Sequence, residues 1–154
     1  MMPMSFEPQR FWRNLCQARY YHHRGHANPL PVVEAGVRLY IIAAPEHHGT
    51  VVLDVSGSGR HSCACWEGRA VIALGGLMSS LCAHVITAIL AAGRDELLLP
   101  YTIAGAEWLA QPGSIDQVCN WQPVTSGVQS NGRSFTVRRK IDLDGEVEYR
   151  RSRP

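Results

Sequence analysis

A small α+β domain is the fold class the sequence predicts. Three observations predict it: apolar residues at helical spacing near the start, three strand-like runs between Val37 and Cys65, and an Asp-Gly turn between two alternating segments near the end. A chain of 154 residues fits one domain. With 45% hydrophobic and 18% charged residues it has the material for a true core, which argues against a disordered or fibrous chain.

Pro8 suits a first helical turn, and Phe11, Trp12, Leu15 and Cys16 follow at helical spacing, so an amphipathic helix is expected to about Tyr21. His22, His23, Arg24, Gly25 and His26 then lead into Asn28-Pro29-Leu30-Pro31, a turn-rich connection that closes a first segment at residues 1–36. Strands are expected over Val37–Ala43, Thr50–Val55 and Arg60–Cys65, separated by Pro45–Gly49 and Ser56-Gly57-Ser58-Gly59, which makes an antiparallel meander. Val85, Ile86, Ile89 and Leu90 predict a short buried helix that stops at Gly93, with Ser79 and Ser80 upstream as candidate caps. Between residues 94 and 132 a helix over Ala104–Ala110 and another after Ser114 are expected, parted by Pro112-Gly113 and followed by a polar tract, Ser126–Gly132.

The final segment reads as a hairpin, Phe135–Leu143 and Val147–Arg151 around Asp144-Gly145. A three-residue loop with Gly145 left-handed sets Phe135, Val137, Ile141, Leu143, Val147 and Tyr149 on one face. It leaves Arg138, Lys140 and Arg150 on the other, partly offset by Asp142 and Glu148.

The net charge of +2 does not announce a nucleic-acid partner, but its distribution is uneven. Residues 10–26 carry Arg10, Arg13, Arg19 and Arg24 with no acid, and residues 133–153 hold seven of the fifteen basic residues. Arg138, Arg139, Lys140, Arg150 and Arg151 are therefore candidate contacts to a phosphate backbone, and Phe11, Trp12, Tyr20 and Tyr21 are either core or base-stacking residues. No apolar run approaches the roughly 18 residues that span a bilayer, and Met-Met-Pro-Met-Ser-Phe-Glu lacks a signal core, so an intracellular protein without a membrane anchor is expected.

Chemistry concentrates in Cys63-Ala64-Cys65 and Cys82-Ala83-His84. Three thiolates and one imidazole make a full tetrahedral set for one zinc ion, and a set with no open position is structural rather than catalytic. Two residues apart on a strand, Cys63 and Cys65 project to one side. On a regular helix Cys82 and His84 would point about 200° apart, so they must straddle a helix start, where the dipole also favours a thiolate.

This arrangement, a strand hairpin with Cys-x-Cys, a spacer, and Cys-x-His opening an apolar helix, resembles the SWIM zinc-finger family over residues 37–93. Residues 94–154 then form an extension ending in the basic hairpin. The resemblance implies ligation by Cys63, Cys65, Cys82 and His84 and a role in DNA binding or protein interaction, since such fingers occur beside transposase domains and in recombination accessory and ubiquitin-ligase proteins. The family often has proline after the first pair and a basic residue within the second. Here Trp66-Glu67-Gly68 and Ala83 stand instead, and the spacer Val71–Met78 is apolar.

His61 is an alternative ligand two residues before Cys63, whereas Cys16 and Cys119 read as small core residues. His22, His23, His26, His47 and His48 fall in turn-like segments without a suitably spaced carboxylate and read as solvated. No nucleophile elbow, P-loop or dinucleotide fingerprint occurs and no small-molecule substrate is evident, so a non-enzyme is expected. The expected function is a zinc-binding accessory subunit of an assembly that processes DNA or RNA. The alternative is a protein–protein adaptor, suggested by the apolar spacer and by Leu97-Leu98-Leu99-Pro100.

Overall fold

A computed structural model describes residues 6–30, 37–43, 48–54, 61–63 and 81–152, and among these the fold is α+β with two antiparallel sheets and four α-helices. Helix α1 spans Pro8–His23, with Pro8 in its first turn where a missing N–H costs nothing. Phe11, Trp12, Leu15, Cys16, Tyr20 and Tyr21 are all buried, which settles the helical aromatics as core. The helix runs two residues beyond Tyr21, so His22 and His23 belong to its last turn rather than to a loop, where a basic residue suits the negative end of the dipole.

The first sheet has the order β1 (Ala27–Pro29), β2 (Val37–Ala43), β3 (His48–Asp54), β4 (His61–Cys63). The meander β2-β3-β4 agrees with the sequence, but the added edge β1 does not. Ala27 pairs with Ile42 and Pro29 with Tyr40, within a stretch whose proline and asparagine read as turn. Pro29 is tolerated because an edge strand can spare its N–H. Tyr40, Ile42, Val51, Leu53 and Cys63 alternate onto one buried face, while Ile41 and Val52 point outward.

Helix α2 (Ala83–Ala91) lies on that inner face and against α1, and six consecutive residues from His84 to Ile89 are buried, as befits a helix enclosed on all sides. Gly93 ends it in a left-handed conformation, φ +70°, with the Arg94 N–H reaching Ile89 O at 3.1 Å. A short 3-10 helix (Asp95–Leu98) leads into α3 (Leu99–Leu109) and α4 (Ser114–Val118). Helix α3 opens five residues before the expected Ala104, because Pro100 occupies its first turn and starts the helix instead of breaking it. The Trp12 indole N–H donates to Gly105 O at 3.0 Å and the Phe11 ring stacks on Tyr101, which fasten α3 to α1.

The second sheet is β5 (Gln122–Val128), β6 (Ser134–Ile141) and β7 (Val147–Ser152), in that order. The hairpin β6–β7 was expected, but its register differs: Ile141 faces Val147, so the loop is residues 142–146 rather than three residues. Asp142 builds it, its carboxylate accepting the N–H groups of Asp144 and Glu146. A shift of two residues keeps the strand side chains on the faces expected for them, while Asp142 and Leu143 pass from the strand into the loop. Strand β5 was not expected, because Pro123, Ser126 and Gly127 carry no apolar alternation and almost all of the strand is exposed. Among the described residues no helix is long and apolar enough to cross a membrane.

Candidate metal centre

Cys63, Cys82 and His84 converge although they come from a strand and from the start of a helix 19 residues further on. Their donor atoms all lie within 4.8 Å of one another, and the residues are 3%, 3% and 2% exposed. Cys63 is directed inward by register, paired with Val51 on the face that α2 covers. Cys82 is the N-cap of α2 and takes an extended conformation, φ −75° and ψ 162°, before the helix begins. That break lets Cys82 and His84 point the same way, as the two-residue spacing demanded. The cap is Cys82 itself, its sulfur accepting the Val85 N–H at 3.5 Å, and not one of the upstream serines.

The position of Cys82 is tied down from α1, whose Asn14 side-chain amide donates to Leu81 O at 2.9 Å. The Cys63 sulfur stands 3.7 Å from His84 Nδ1. Two ligands bound at about 2.3 Å (sulfur) and 2.0 Å (nitrogen) at a tetrahedral angle would stand about 3.5 Å apart, so this spacing fits a shared ion. A buried Cys-Cys-His group of this kind is compatible with one metal ion.

Two residues that the motif does not contain shape the site. Gly49 of β3 lies under the imidazole, with room for the ring only because it has no side chain: an added β-carbon would stand 2.5 Å from His84 Cγ. Tyr21 of α1 lies nearly parallel to the same ring, at 6.5 Å between centroids and 12° between planes. Nothing in a Cys/His pattern points to either. Cys65, the apolar spacer Val71–Met78, Ser79, Ser80, His47 and Trp66-Glu67-Gly68 lie outside the described residues.

The remaining candidates are dispersed. His23 Nε2 contacts Asp144 O at 2.8 Å, the His26 ring meets Tyr21 edge-on, and His48 begins β3, so these histidines form no common site. Cys16 and Cys119 are buried against each other, and burial together with the neighbouring thiol pushes the Cys16 thiol well above its ordinary range.

The basic residues of the second sheet divide between its faces. Arg138 pairs with Arg150, and Lys140 with Glu148, on the outward face; Arg139 and Arg151 lie on the other, over the rings of Tyr20 and Phe135. Trp121, whose surrounding sequence carries no binding motif, joins the outward group, with the Arg150 guanidinium 4.4 Å from the centre of its ring. Compared with protein-family models, with curated proteins and with solved structures, the chain matches none.

Proposed function

We propose that this chain is a non-catalytic module built on one structural zinc ion, a SWIM-like finger, that serves as an accessory subunit of an assembly acting on DNA or RNA. The observation that carries it is the convergence of three buried sulfur and nitrogen donors from separate elements. Sulfur and imidazole ligands favour zinc over calcium or magnesium. Cys65 is the fourth ligand in this reading. What supports it is the sequence spacing Cys63-Ala64-Cys65, which supplies a third thiolate next to a ligand of the converging group. Four protein ligands would leave no place for a substrate or an activated water.

The nucleic-acid reading rests on the outward face of the second sheet. Arg138 and Arg150 stand directly opposite each other, an arrangement that costs energy unless an anion answers it. Beside them Trp121 offers a ring on which a base can stack, in the manner of single-strand binders. A phosphate backbone laid across Arg138, Lys140 and Arg150 would relieve the repulsion.

Elemental analysis of the purified protein tests the first part, with one zinc per chain expected and a well-folded zinc-free chain the result that sinks it. Binding to a labelled single strand, followed against salt, tests the second. Charge reversal at Arg138, Lys140 and Arg150 should flatten the salt dependence and weaken binding at least tenfold. Unchanged tight binding would remove the sheet from the interface.

A protein-adaptor reading also has an observation behind it. Leu99 and Ile103, one turn apart on α3, are 56% and 66% exposed, and Ile115 on α4 is half exposed. Leu98 is buried, so of the Leu97-Leu98-Leu99 run it is Leu99 that projects. If Leu99→Asp and Ile103→Asp weakened assembly without altering nucleic-acid binding, the adaptor reading would take precedence.

A further inference from the structure

Away from the metal centre, α1 and the second sheet enclose a cleft of about 70 Å³. A single water needs roughly 10–15 Å³ of such space, so the cleft takes a group of a few heavy atoms, and it is far below the about 300 Å³ of pockets for larger organic ligands. Its floor is Cys16, Val118 and Ile141; its rim is Arg13, Gln17, Asn120, Gln122 and Arg139. Two arginines and three residues with side-chain amides line the space, and no acidic residue does.

The rim is arranged in advance. Arg13 and Gln17 lie one turn apart on α1, and Gln122 and Arg139 are direct partners across β5 and β6, so both pairs address the same space. Arg13 is held by one bond, Nη2 to Gln117 O at 3.0 Å, and a guanidinium has five donors, so it keeps capacity for a ligand. Arg139 is held by its face, 5.2 Å above the centre of the Tyr20 ring. The Gln122 side-chain amide donates to the carbonyl oxygen of Asn120, which occupies the one acceptor of Asn120 that would repel an anion.

The charge surrounding the cleft is mixed. Arg19 and Lys140 act on the two floor and flank thiols, Cys16 and Cys119, alongside Asp142 and Asp116. The Asp142 carboxylate is committed to the backbone N–H groups of its own turn. The lining itself carries two cations, Arg13 and Arg139, and no acid. The Cys16 thiol stays neutral there, because burial and Cys119 raise it.

We infer that this cleft is a binding site for a small oxyanion, a phosphate group gripped between the Arg13 and Arg139 guanidiniums with Asn120 and Gln122 as further donors. Guanidinium pairs match the oxygen spacing of a phosphate and form charge-assisted bonds that a spherical halide cannot reproduce. The site is independent of the zinc centre and of the outward basic face, so it stands or falls separately from both.

The test is titration of the full-length chain with inorganic phosphate at constant ionic strength, followed by backbone amide NMR, with chloride as the control. Saturable shifts around Arg13, Asn120 and Gln122 with phosphate and not with chloride are expected. Arg13→Gln should weaken the binding about tenfold, the loss of one charge-assisted bond. Arg139→Gln also loses the contact to Tyr20, so Asn120→Asp, a rim substitution that adds a negative charge, is the variant that must abolish the shifts while leaving the rest of the spectrum intact. Shifts that do not saturate, that chloride reproduces, or that survive Asn120→Asp overturn the site. A short oligonucleotide with and without a 5′-phosphate then identifies the source. Preference for the phosphorylated form means a terminal or free monoester, and equal binding means a backbone phosphodiester.

Discussion

The His84 imidazole rests on the backbone of Gly49, leaving no room for a methyl group: a β-carbon at 49 would stand 2.5 Å from Cγ and 2.7 Å from Nδ1. His84 is enclosed on a helix that is buried on all sides and cannot move aside without opening the core. Gly49→Ala should therefore destabilise the fold by about 1–3 kcal/mol and at the same time turn the imidazole away from Cys63. Urea unfolding and a competition assay with a metal-binding dye check the two effects. Unchanged stability together with unchanged metal affinity would show that the ring is not pinned.

Cys82 has two roles that one pair of variants separates. Its sulfur caps α2 by accepting the Val85 N–H, and it is one of the three converging donors. Serine is among the best N-caps, so Cys82→Ser keeps the cap and removes the thiolate, whereas Cys82→Ala removes both. In metal-free protein the alanine variant should be about 1 kcal/mol less stable than the serine variant. Zinc should stabilise the wild type and neither variant, read as the shift in melting temperature on adding the metal. A serine variant that still gained stability from zinc would remove Cys82 from the ligand set.

Much of this was legible because the signals were local. Helical spacing gave α1 and α2, Gly93 gave the end of α2, and alternation gave β2 to its exact limits at Val37 and Ala43. The convergence of Cys63, Cys82 and His84 was legible in the Cys/His ligand set, and the two-residue spacing placed Cys82 and His84 at a helix start. What could not be read depended on partners distant in the chain. Strands β1 and β5 have turn-like or polar sequences and exist because a neighbouring strand offers its edge, β2 for Ala27–Pro29 and β6 for Gln122–Val128. Gly49 and Tyr21 shape the metal centre through packing alone, and the division of Arg138 and Arg139 between faces acquires meaning only once α1 covers one of them.

The hairpin loop is docked through Gly145. Its φ is +82°, and a β-carbon there would stand 2.6 Å from Arg19 Cβ and 2.7 Å from the Tyr20 nitrogen, so α1 packs directly on the turn. Around it the Arg19 guanidinium donates to Leu143 O and His23 contacts Asp144 O. Gly145→Ala meets both a left-handed backbone and a backbone collision, and should cost on the order of 2 kcal/mol or more. Because the second sheet contributes only partly buried residues to the core, the loss should fall on that sheet first. Hydrogen exchange should accelerate in Ser134–Ile141 and Val147–Ser152 while the amides of α2 keep their protection. Equal acceleration in α2 would mean that the two sheets unfold as one unit.

Alkaline stability provides a test of the aromatic cluster between α1 and α3. Tyr101 is buried against Phe11, and burial pushes its phenol up to about 12 from an ordinary 10. Between pH 10 and 12 the unfolded chain has lost this proton and the folded chain has kept it, so the unfolded state binds fewer protons and stability falls as pH rises. The contribution is intact below pH 10 and is lost as pH passes through 12, on the order of 2 kcal/mol in all. Tyr20 and Tyr40 are shifted in the same direction, so the whole protein should show a steeper alkaline loss than one tyrosine explains. Subtracting the curve of Tyr101→Phe from that of the parent isolates this residue, since phenylalanine keeps the ring and removes the proton. Parallel curves for parent and variant from pH 9 to 12 would show that Tyr101 is not held in the folded state in its neutral form.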